Sequence, residues 1–163
     1  MEDVMDRVIA ELMTMDSLTD DDGGFQGIAD IQNIYFGDPG IFVIREYPLI
    51  IVRPGVSTVA EETTGYTKRD LEIFIDAITD VGESSVNYGQ VEAELSGQRV
   101  IIKLLTQVQR WFERNSIRNL GGAVDDVKVG DIDYDTEIYP DGNIYTKPAT
   151  LTLTVRKRYP KRD

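Results

Sequence analysis

Between Asp70 and Ala77 the chain alternates: Leu71, Ile73, Ile75 and Ala77 take turns with Asp70, Glu72, Phe74 and Asp76. Successive side chains of a strand point to opposite faces, so this spacing predicts a strand over Thr67–Thr79 with one face buried. The same device returns near the end of the chain. Ala149, Leu151, Leu153 and Val155 alternate with Thr150, Thr152, Thr154 and Arg156. Two such strands require a second layer to cover their apolar side.

Two segments have the period to supply it. Met1, Val4, Met5, Val8, Leu12 and Met15 fall at helical spacing, with Ile9 alongside, and predict an amphipathic helix over Met1–Met15. A second helical region is expected from about Tyr88 to Asn115, with Val91, Leu95, Ile101, Ile102, Leu105, Val108 and Phe112 as its apolar stripe. Gly97 is expected to separate a short first segment from a main helix beginning at Gln98. Trp111 and Phe112 adjoin on this helix about 100° apart; core is expected for both, the alternative being that one of them faces a groove or partner. Gly121-Gly122 closes the region.

The remaining strands follow from β-branched runs and turn residues. One strand is expected near Ile28–Phe36 and a second over Ile41–Val52, joined by the turn Asp38-Pro39-Gly40 and ended by Pro54-Gly55. Arg53–Thr67 then makes a long polar connection, read as an extended hairpin arm or loop. Val127–Tyr139 and Asn143–Arg158 form a final hairpin around Pro140-Asp141-Gly142. The expected fold is α+β: a two-layer sandwich with a mainly antiparallel sheet and two helices on one face, as a single domain over residues 1–163.

The chain holds neither cysteine nor histidine. Thiolate chemistry, zinc–sulfur sites and every Ser–His or Cys–His mechanism are therefore excluded. No Walker sequence and no G-x-G-x-x-G occurs. Asp131, Asp133 and Asp135 have the D-x-D-x-D spacing of a calcium loop, but an EF-hand needs glycine and glutamate where Thr136 and Gly142 stand. With Ile132 and Tyr134 between them, the three acids read as the solvated face of a strand. Asp20-Asp21-Asp22 reads as a charged turn. No cofactor, metal site or catalytic residue is expected. The competing expectation is a small metal-dependent hydrolase working through carboxylates.

The net charge of −12 disfavours gripping nucleic acid or an anionic membrane. No run approaches the length of a membrane span, and the acidic N-terminal segment is unlike a secretory signal. The chain is expected to be made in the cytoplasm. Aspartate outnumbers glutamate and arginine outnumbers lysine. An acid-rich, lysine-poor balance is an expected adaptation to high salt, where screening removes self-repulsion; an ordinary acidic protein is the alternative. Against this background Arg156, Lys157, Arg158, Lys161 and Arg162 put five of the 17 basic residues in the last eight positions. Such a run either stays solvated or docks on an acidic surface of a neighbouring copy or partner.

A leading amphipathic helix, the turn Phe36-Gly37-Asp38-Pro39, paired strands with a long arm, a second helix and a final hairpin resemble the tail terminator, or tail completion, proteins of tailed viruses. The resemblance covers most of the chain and rests on element order and size. It implies a structural virion protein without catalytic residues. Such proteins form hexameric rings that cap the tail tube and join it to the head, with the tail tube protein and head-side connector proteins as partners. DNA would pass an acidic lumen without specific binding. The salt-adapted composition would then suit a virus of salt-loving archaea. Interfaces in that family lie on strands, loops and termini. Here they point to Arg53, Val56, Val59 and Tyr66 on the arm, and to Arg156, Lys157, Arg158, Lys161 and Arg162 at the C-terminus. Another neck component, a head-completion or adaptor protein, is the alternative within the same class of particle.

Overall fold

In the computed structural model, residues 2–17, 31–37, 46–62, 65–82, 89–135, 139–141 and 144–160 are described. In chain order they form α1 (Glu2–Ser17), β1 (Asn33–Phe36), β2 (Leu49–Glu61), β3 (Tyr66–Gly82), α2 (Gly89–Phe112), a 3₁₀ turn (Leu120–Gly122), β4 (Asp126–Tyr134), β5 (Tyr139–Asp141) and β6 (Ile144–Pro160). The fold is α+β. The sheet runs β1-β2-β3-β6-β4, with β5 also paired to β6.

The alternating strands become its centre. β3 and β6 pair antiparallel along almost their whole length, from Tyr66↔Pro160 to Gly82↔Tyr145. Leu71, Ile73, Ile75 and Ala77 lie against Val155, Leu153, Leu151 and Ala149, and all eight are buried on one face. From α1, Val4, Met5, Val8, Leu12 and Met15 join the same cluster; from α2, Ile101, Leu104, Leu105, Val108, Trp111 and Phe112 do. Both helices and the sheet thus share one core. Trp111 donates from Nε1 to the Glu11 carboxylate at 3.2 Å, tying α2 to α1.

Several expectations are corrected. β1 pairs parallel to β2, Asn33↔Leu49 through Phe36↔Val52. A tight turn cannot join a parallel pair, so these two strands are not the expected hairpin. The predicted turn Asp38-Pro39-Gly40, the Ile41–Ile44 part of the predicted second strand and the acidic turn Asp20–Asp22 lie outside the described residues. α2 passes through Gly97 without a break, because one glycine costs a helix only about 1 kcal/mol relative to alanine. Ile102 is 40% exposed, against the reading that placed it in the apolar stripe. It sits about 100° around the helix from the buried Ile101, and Leu104 takes the inward place. Pro140 and Asp141 belong to β5, and Asp141 pairs with Ile144, so the reversal lies between Asp141 and Ile144 and only its Gly142 belongs to the expected turn. No described helix is long and apolar enough to cross a membrane.

Candidate assembly interface

The largest departure from a compact sheet is at one end of it. β1 pairs with β2 only as far as Val52. Leu49 to Val52 are buried, whereas from Arg53 onward β2 is exposed apart from a half-buried Gly55. β3 and β6 change at the same level, Leu71 and Val155 being their last core residues at this end. Beyond it, β2 to Glu61, β3 from Tyr66 and β6 to Pro160 continue as a three-stranded arm. The expected arm is therefore a hairpin built of strand, not a loop.

Pro54-Gly55 does not end β2; it starts a bulge, and the register with β3 slips between Pro54 and Ser57. Both residues suit the place. Proline cannot donate to a ladder and is tolerated where a strand edge is unpaired. Glycine is required by contact: a Cβ on Gly55 would stand 2.6 Å from Phe74 Cε2 and 2.9 Å from Glu72 Cβ. The Phe74 ring in turn carries the Arg53 guanidinium 4.5 Å above its centre. Arg53 also forms an ion pair with Asp76, whose carboxylate accepts from the Thr150 hydroxyl at 2.6 Å. Of the arm residues singled out in the sequence, Arg53 is thus held at its base. Val56, Val59 and Tyr66 are 64%, 57% and 46% exposed. Phe36, 56% exposed at the end of β1 beside the same step, is legible in the sequence only as part of a strand and turn and not as an interface residue.

The basic C-terminal run changes meaning. Arg156, Lys157 and Arg158 are not a free tail; they are the arm segment of β6. Lys161 and Arg162 lie outside the described residues. Arg156 holds Asp70 through two N–H donors, and Lys68 meets the same carboxylate at 3.1 Å. Lys157 approaches Asp3 of α1 at 3.6 Å. Arg158 meets Glu62 at 3.3 Å while its backbone N–H donates to the Asp125 carboxylate. Arg118 is paired to Asp126. These cations hold Asp70 and Asp126 below the usual carboxylate range, through the hydrogen bond from Arg156 in the first case and from Arg118 in the second. Arg69 and Lys157 also lie 5.4 and 5.6 Å from the Tyr159 ring centre. Much of the cationic charge that the sequence offered to a partner is engaged within the chain.

On β4, Asp131 and Asp133 are exposed as expected, but Asp135 is half-buried and Tyr134 is exposed, so the alternation does not hold to the end of the strand. Among the described residues no group of three or more acidic side chains is placed to hold a metal ion. Among the described residues, one open cleft of about 400 Å³ lies between Asp133–Asp135 and Pro148–Thr150, and another of similar size between the end of α2 and the start of β4. No protein-family model matches this chain, and no well-characterised protein matches it in sequence.

Proposed function

We propose that the chain is a structural assembly protein that forms a closed ring, acting as the terminator that caps a viral tail tube and joins it to the head-side neck. The observation that carries this reading is the arm. A sheet extended past its own core, edged by β2 and bearing exposed Val56, Val59 and Tyr66, is costly to leave in water and suited to contact between subunits. Repeated identical contacts of one patch with another close into a ring when the rotation permits. The net charge of −12 suits a lumen that DNA crosses without adhering. It also makes assembly depend on screening of the repulsion between copies.

The test is the mass of the purified chain at about 0.1 M and about 2 M salt, spanning weak and near-complete screening. A closed hexamer of the 18.3-kDa chain, favoured by salt, is the expected result. A twelve-fold ring would move the reading to a neck adaptor. Hydrolysis of a phosphodiester or glycoside, lost on substitution of a single aspartate, would replace it with a carboxylate enzyme.

A further inference from the structure

Charge is divided unevenly between arm and body. The arm, taken as β2 from Arg53 with Glu62, β3 through Asp70 and β6 from Arg156, carries Arg53, Lys68, Arg69, Arg156, Lys157 and Arg158 against Glu61, Glu62 and Asp70. Six basic and three acidic side chains leave +3. With the whole chain at −12, the remainder carries −15. Arg53 and Lys157 already meet Asp76 and Asp3 beside the arm, so part of this surplus is neutralised within the chain; what is left disfavours arm against arm and body against body relative to arm against body. Identical copies should meet arm to body, which is a head-to-tail contact.

The edges of the sheet say where. At one edge the Glu62 N–H donates to the Tyr66 carbonyl at 3.0 Å. Backbone groups alternate sides along an antiparallel strand, so those of Ser57 and Val59 turn away from β3. No described strand pairs with them. At the other edge β4 pairs with β6 alone among the described strands, and it exposes Asp131 and Asp133. A bulge between Val129 and Ile132 and two outward carboxylates are devices that discourage casual strand addition. They discourage a cationic arm least. Direction agrees as well. β2, β3, β6 and β4 are successively antiparallel, so β4 runs opposite to β2. A rotation about an axis near the strand direction brings the arm of one copy beside β4 of the next in antiparallel sense. The registers set the β2 edge from Arg53 to Glu61 level with Thr152 to Tyr159 of β6, and β4 from Tyr134 to Asp126 level with Ala149 to Arg156. The two edges are thus staggered along the strands, and a sheet that closes on itself needs such a stagger.

We infer that the outer edge of β2 over Arg53–Glu61 adds to β4 of a second copy, continuing the sheet from subunit to subunit. This rests on the ring reading and specifies which surfaces make the ring.

The absence of cysteine gives a clean test. Val59→Cys is labelled with benzophenone-4-maleimide in the full chain, irradiated, and the cross-linked peptides are mapped by mass spectrometry, with sedimentation run on the same sample. Cross-links from Val59 to residues 126–134 of another copy, forming a ladder of multimers, are expected. Adding Asp131→Lys and Asp133→Lys should remove most of that cross-linked product while circular dichroism stays unchanged. Assembled protein whose cross-links run from arm to arm, or to another surface, overturns the inference and leaves the ring standing. Protein that sediments as a monomer at every salt and concentration overturns the ring and the inference with it.

Discussion

Arg156 of β6 grips Asp70 of β3 side on, Nε to Oδ1 at 2.9 Å and Nη2 to Oδ2 at 3.3 Å, across the pair that opens the arm. Asp126, paired to Arg156 in the neighbouring ladder, is itself bound by Arg118. A run of cations that looks in the sequence like a docking tail is, in the fold, a clasp across three strands.

The clasp predicts a modest, salt-dependent contribution to stability. The Arg156 and Asp70 side chains are 42% and 24% exposed, so water screens the pair and keeps its contribution small. Arg156→Gln should lower the urea midpoint slightly at ~0.1 M salt, and the difference should shrink toward zero at ~1 M. Equal losses at both salts would show that Arg156 acts by packing alone. For the same reason, reversing charge at Lys157 and Arg158 would disturb the arm's own pairs with Asp3 and Glu62 before it tested any partner.

Acid should loosen the arm. Asp70 and Asp126 titrate below their ordinary value of 3.8 in the fold, each because an arginine donates to its ionised form. In the window between folded and unfolded values the unfolded chain binds more protons. The stabilisation is therefore present above the unfolded value and is lost as pH falls through the folded one. Denaturation followed from pH 6 to pH 2 should show the loss beginning near pH 4–5, where unfolded aspartates start to protonate. A double variant, Asp70→Asn with Asp126→Asn, should be less stable at pH 6 and lose less on acidification.

Gly55 is a position where adding a single methyl group should be costly. Its missing Cβ is filled by the edge of the Phe74 ring and by Glu72, so Gly55→Ala must displace one of them. The expected destabilisation is about 1–3 kcal/mol. Combining it with Phe74→Ala should give a total loss clearly smaller than the sum of the two single losses, read from urea titrations as a double-mutant cycle. Additive losses would mean the bulge yields freely.

Parts of this architecture were legible because they depend on local period. α1, the buried faces of β3 and β6 and the core places of Trp111 and Phe112 follow from spacing alone. Even the bulge in β4 leaves a trace. Val127 and Val129 are apolar at odd positions, Ile132 and Tyr134 at even ones, and the phase slips at Gly130, where a Cβ would lie 2.9 Å from the Thr152 carbonyl oxygen. The continuation of β2 through Pro54-Gly55 was not legible. Those residues stop most strands, and only the neighbouring Phe74 and an unpaired edge make them fit here.

By itself, then, the sequence determined the α+β class, the face each long strand buries and the exclusion of thiol and histidine chemistry, since composition and period act through nearest neighbours. Tertiary structure decided the parallel pairing of β1 with β2, the length of the arm and the fate of the basic run. Each of these depends on which groups meet across long separations. Arg156 and Asp70 are 86 residues apart in the chain, and nothing local to either one announces the other.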